Sequence, residues 1–262
     1  MNTYQIATGM KKINWQALAL AAAFLLGSCH TPYQVTSVSG STLAVDRQWD
    51  GPESVDARAL IAPYKDRLSD TMANVIGRSA KSMTSNRPED LLSNLAADVL
   101  RTEAARVLGQ PADIGIMNIG GLRNVLNRGD VRVQDAFEIF PFENSLCVVY
   151  LKGLQVKKLF AQMAARGGEG LSGANLVIRK DGTLLDCQVE HQPIDDNRLY
   201  TIGTIDYVAE GNDGLSAIKE QQSRVCPDGA ILRDIFIDYV KRLTTQGKEL
   251  DAAIEGRIVV QP

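Results

Sequence analysis

Ten consecutive apolar residues, Ala17–Leu26, stand near the start of the chain and constrain everything that follows. As a helix they would span about 15 Å at 1.5 Å per residue, half of a bilayer's hydrocarbon core. That is too short for a permanent membrane span. Residues 1–28 contain no Asp or Glu, and their only charged side chains are Lys11 and Lys12, just ahead of the run. A basic start, a short apolar stretch and a small-residue exit form the pattern of an export signal. What folds is then the remainder, outside the cytoplasm.

The exit reads Leu26-Gly27-Ser28-Cys29, which resembles the box cut by lipoprotein signal peptidase. We therefore expect a signal peptide over 1–28, a lipidated tether over 29–34 and one domain over 35–262. Several buried acyl chains on Cys29 would hold the protein stably to a membrane of the cell envelope, facing the periplasm or the cell exterior. Without residues 1–28 the chain keeps 26 basic and 31 acidic side chains, net −5. That balance has no basic footprint and speaks against nucleic acid as a partner. Besides Cys29 there are Cys147, Cys187 and Cys226, with no Cys-x-x-Cys spacing for metal or redox work. An exported chain can join two of them in a disulfide, and three buried small hydrophobes are the other reading.

Periodicity sketches the elements. Val35–Val45 alternates around Ser39-Gly40-Ser41 and reads as a hairpin. An amphipathic helix is expected over Ser54–Ile76, interrupted by Pro63, and a second over Pro88–Leu108, closed by Gly109. Short strands follow at Asp113–Asn118 and Val131–Val133, then a buried strand at Ser145–Lys152 and a helix at Leu154–Ala165. A hairpin turns at Asp181-Gly182, a strand runs over Leu199–Val208, a helix over Ala230–Leu243, and Arg257–Val260 closes the chain. Strands and helices mix without strict alternation, so a layered α+β domain is the expected class.

Histidine is scarce: only His30 and His191 occur. A dinuclear metallophosphatase needs several His with Asp and Asn ligands, and a Ser-His-Asp triad would have only His191, in a Gln-Pro turn, with no Gly-x-Ser-x-Gly partner. No cofactor is expected in this chain. Three segments carry other chemistry. Asn118-Ile119-Gly120-Gly121-Leu122-Arg123 lets backbone approach a ligand and offers a guanidinium to a phosphate. Phe140-Pro141-Phe142 presents an aromatic face on a stiffened loop, and Gly211-Asn212-Asp213-Gly214 is a sharp turn after a strand.

Taken in this order and spacing, Asn-x-Gly-Gly-x-Arg, Pro-Phe and Gly-x-Asp-Gly resemble the C-terminal domain of 5′-nucleotidases. Arg87 ahead of Asn94, Val149–Gly153 and Tyr207–Gly211 extend the resemblance across nearly all of residues 35–262. It implies that Asn118 meets a nucleoside base, Arg87 and Arg123 meet phosphate, and Phe142 forms one aromatic wall. Gly120, Gly121 and Asp213 shape the same nucleotide site. Leu215 stands where the second aromatic wall is usual, and Glu220 where a ribose-binding acid is expected. It further implies a separately encoded metallophosphatase chain carrying divalent metals, with this chain recognising the nucleotide in phosphate-monoester hydrolysis. The alternative is a non-catalytic lipoprotein that binds nucleotides or another small solute. A domain whose pocket has decayed is the third reading.

Overall fold

A computed structural model describes residues 35–44, 46 and 54–262. The signal peptide, Cys29 and the tether lie outside them, as does Val45. These described residues fall into two units, those up to Ser54 and Val55–Pro262. In the first, residues 35–44 form no strand, so the expected hairpin is absent there. Val35, Val38 and Leu43 are exposed, and a two-stranded ribbon with no face to bury is at best marginally stable.

The second unit runs α1 (Val55–Ala73), β1 (Val75–Ser79), α2 (Leu91–Leu108), β2 (Ile114–Met117), β3 (Gly129–Arg132), α3 (Val133–Ile139), β4 (Leu146–Lys152) and α4 (Gly153–Ala165). It continues with β5 (Gly170–Ser172), β6 (Ala174–Arg179), β7 (Leu184–Val189), β8 (Gln192–Pro193), β9 (Leu199–Ile205) and α5 (Asp206–Ala209). After these come β10 (Ser223–Val225), α6 (Leu232–Thr245) and β11 (Ile258–Gln261). Single 3-10 turns lie at Ile119–Gly121 and Ser216–Glu220.

The central sheet has the order β10-β4-β9-β2-β5, with β2 and β9 parallel and the other neighbours antiparallel. A four-stranded sheet, β11-β6-β7-β8, and a β1-β3 pair complete a mixed α+β architecture. β2, β4 and β9 are buried over nearly their whole length, which is why β2 and β4 read as apolar runs. α2 lies directly on them because two glycines pair across β2 and β9, Gly115 opposite Gly203. A Cβ on Gly115 would stand 2.2 Å from the Ala97 carbonyl oxygen, and one on Gly203 2.7 Å from the Ala104 Cβ. Any side chain there would push α2 off the sheet.

α2 begins one residue after Asp90, whose carboxylate accepts from the Leu91 amide, and it ends at Gly109 with φ 66°. Pro88 precedes the cap instead of forming the first turn. Pro63 sits inside α1 without ending it. The helix stops at Ala73, and Val75 and Ile76 belong to β1. Leu60, Ile61, Tyr64 and Leu68, expected to face a core, are more than half exposed. β3 stops at Arg132, and Val133 opens α3, whose start is tied by the Asp135 carboxylate accepting from the Arg132 amide at 2.6 Å. Among the described cysteines, Cys147 and Cys226 form a disulfide and Cys187 is free.

Candidate functional site

β2 and β9 run parallel and end on the same edge of the central sheet, where antiparallel β4 begins. Ligands of open α/β sheets settle at the carboxyl ends of strands, where chain segments diverge and leave a crevice. Asn118 leaves β2 there and enters the 3-10 turn Ile119–Gly121. A Cβ on Gly121 would come within 2.9 Å of the Asn118 Oδ1, so glycine permits the turn to fold back over this side chain. The Arg123 amide then donates to the Ile139 carbonyl at 3.0 Å, fixing the exit from the turn.

Phe142 and Asn144 lie between α3 and β4. Phe140 anchors that segment in the core, 5.1 Å from the Phe236 ring, and the Leu232 amide donates to the Asn144 carbonyl at 2.9 Å. From β9, the chain does not continue extended to Val208 as expected. Asp206 turns it: its carboxylate accepts from the Tyr207 amide at 2.7 Å and opens the helical turn α5. Asp213 follows at φ 54° between Gly211 and Gly214.

These segments enclose a cavity of about 420 Å³ lined by Asn118, Gly120, Gly121, Arg123, Phe142, Asn144, Tyr207 and Asp213. That volume lies within the range of small-molecule pockets. Asp213 organises its polar side. Asn118 donates to its Oδ2 at 2.8 Å, the Tyr207 hydroxyl donates to its Oδ1 at 3.3 Å, and Arg166 lies 3.9 Å away. The negative charge of Asp213, with smaller contributions from burial and the hydrogen bond, raises the Tyr207 phenol above its ordinary value. The hydroxyl therefore stays a donor. Phe142 and Tyr207 are each almost half exposed, unusual for large aromatic rings, and the Arg123 guanidinium stands 5.6 Å from the Phe142 ring centroid.

Behind the cavity Glu169 is buried, with its side chain fully covered. It accepts from Arg87 at 2.5 Å, from Arg166 at 2.6 Å and from the Ile119 amide at 2.6 Å. The hydrogen bond to Glu169 is the main reason that Arg166 is held above its ordinary value.

Of the residues singled out from sequence, Asn118, Gly120, Gly121, Arg123, Phe142 and Asp213 come together in this cavity. Arg87 is not in its lining; its guanidinium is held by Glu169 and the Gly168 carbonyl. Leu215 is a correction: it is wholly buried in the core and supplies no wall. Tyr207, six residues before Asp213, supplies the second aromatic instead. Glu220 is likewise displaced, bound to Gln155 and Lys158 on the surface of α4. Tyr207 and Asn144 were not singled out as site residues; an aromatic directly after a turn-forming Asp was the available signal for Tyr207. The cavity's one acid is already engaged twice, and among the described residues no three His, Cys, Asp or Glu side chains gather to hold a metal. These residues do not fit a catalytic metal.

The chain is similar in sequence and in fold to several known proteins. The chain is 29% identical over 154 residues to Protein UshA of Yersinia enterocolitica, covering 57% of this chain and 27% of that one. It is 26% identical over 231 residues to a 5′-nucleotidase of Diplobatis ommata, covering 77% and 39%. A solved structure of a 5′-nucleotidase precursor from Thermus thermophilus superposes with a TM-score of 0.68 at 27% identity, covering 80% of this chain and 44% of that one. The chain thus spans less than half the length of each of these relatives. The family model described as 5′-nucleotidase, C-terminal domain, matches residues 71–220, more than half of the chain, and the protein belongs to that family.

Proposed function

We propose that this chain is an exported, lipid-anchored nucleotide-recognition domain that works with a separately encoded metallophosphatase in hydrolysing nucleotide phosphate monoesters. The observation that carries the reading is a single cavity combining Phe142 and Tyr207, the Asn118–Asp213 pair and Arg123. A nucleotide is a flat base, a sugar diol and an anion, and each has a counterpart here. Rings stack on bases for about 1–3 kcal/mol each. The Asp213 carboxylate accepts from sugar hydroxyls, and Arg123 forks onto phosphate. Hydrolysis is assigned to the partner because the residues of this cavity do not fit a metal. The Cys147–Cys226 disulfide supports an oxidising compartment outside the cytoplasm.

Calorimetry with AMP and adenosine tests the recognition step, and phosphate release with and without a metallophosphatase chain tests the division of labour. We expect both ligands to bind and phosphate to appear only in the mixture. No binding of either ligand sinks the proposal. Binding without release from any such mixture selects a pure nucleotide-binding lipoprotein. Cys29→Ser should abolish fatty-acid labelling; a variant that still takes up label removes the anchor from the proposal.

A further inference from the structure

Glu169 is a carboxylate taken entirely out of water, a costly placement unless cations and donors surround it. It has two guanidiniums and one backbone amide, and those contacts form part of a closed ring. Glu169 holds Arg166; Arg166 stands 3.9 Å from Asp213; Asp213 accepts from Asn118; and the next residue, Ile119, donates its amide back to Glu169. Two acids thus compete for one guanidinium. Glu169 holds Arg166 at 2.6 Å, while Asp213 keeps its short contact with Asn118 and faces the cavity.

We propose that Glu169 is a positioning residue for this cavity. Its charge holds Arg166 away from Asp213, and its hydrogen bond to Ile119 fixes the turn that aims Asn118. Glu169 itself lines no part of the cavity. The proposal rests on the nucleotide-recognition reading, because Asp213 and Asn118 are the groups it keeps available to a sugar and a base. With Glu169 neutral, Arg166 closes on Asp213 as a direct ion pair. Asp213 is then withdrawn from both Asn118 and ligand.

The test compares adenosine binding to Glu169→Gln with that to the double variant Glu169→Gln/Arg166→Gln, each in the full chain. Glu169→Gln should weaken adenosine about tenfold or more, the scale of one hydrogen bond to a charged group. Removing the competing guanidinium in the double variant should recover most of that loss, which a merely structural role of Glu169 would not allow. An unchanged affinity in Glu169→Gln, or no recovery in the double variant, overturns the proposal. If Glu169→Gln does not fold, Glu169→Asp replaces it. That variant keeps the charge on a shorter arm and should lie between wild type and the expected loss; wild-type affinity would overturn the proposal.

A crystal structure of the substituted protein separates the two readings. It should show Arg166 and Asp213 in direct contact instead of 3.9 Å apart. An unmoved Arg166 overturns the ring whatever binds. Wild-type protein that ignores adenosine, or a Phe142→Ala variant that binds it equally well, defeats the nucleotide reading and leaves the Arg166 displacement to be judged by the structure.

Discussion

At the residue scale, the cavity separates two kinds of contact that substitution can tell apart. Arg123 is the cation of its lining and meets charge, so Arg123→Ala should weaken a nucleotide about ten- to a hundredfold and the matching nucleoside far less. Phe142→Ala and Tyr207→Ala should weaken both ligands alike, since stacking ignores the phosphate. Titration calorimetry with AMP and adenosine reads both effects, and an equal loss for the two ligands in Arg123→Ala would remove that residue's assigned role. Leu215 shows where residue-level reasoning stops. The Gly-x-Asp-Gly motif makes the next position look like a wall, yet Leu215 turns into a packed core. Leu215→Phe should therefore lower stability by roughly 1–3 kcal/mol through overpacking, without tightening adenosine. A denaturant midpoint at or above wild type would contradict that placement.

At the scale of elements, α2 carries the central sheet's packing and its cap can be tested directly. Asp90 accepts from Leu91, Thr84 and Asn86. Burial raises its pKa, but these hydrogen bonds outweigh burial and bring it below its ordinary 3.8. A depressed carboxylate stabilises the fold above its unfolded value, and that stabilisation is lost as pH falls through the lower folded value. Asp90→Ala should cost about 1 kcal/mol at neutral pH, with the gap to wild type shrinking as the pH is taken well below 3.8. A gap independent of pH would mean that the charge has no part in the cap. α2 and β4 are readable because burial on one face, or on both, leaves its pattern in the apolar residues, and the β6–β7 hairpin because Asp181-Gly182 marks its turn. α3 was missed although Asp135 stands at a capping position, because seven residues are too few to show a period. The sequence pattern carries β9 three residues too far, since Tyr207 and Val208 continue it while Asp206 breaks the backbone.

For the whole molecule, the Cys147–Cys226 bridge ties β4 to the segment after β10 across 79 positions of sequence. Closing a loop of that size removes about 4 kcal/mol of unfolded-chain freedom in the entropy model. Cys226→Ala should lower the urea midpoint markedly. An unchanged midpoint would show that the bridge adds nothing to stability. Local spacing could not choose this pair, because Cys147 lies 40 residues before Cys187 and 79 before Cys226, and only the strand arrangement brings two of them together.

The sequence alone determined what depends on neighbours along the chain: the apolar run ahead of Cys29, the buried strands, the helix stop at Gly109, and the ordered motifs around Asn118, Phe142 and Asp213. Those features follow from backbone preferences and burial patterns that span a few residues. Tertiary structure alone decided which aromatic stands with Phe142 in the cavity, which cysteines join, and that Arg87 and Arg166 share one buried acid, Glu169. Each of those depends on where separate segments end on the same sheet edge. β2 and β9 are parallel neighbours joined by a long crossover, and nothing along the intervening chain records that their ends meet.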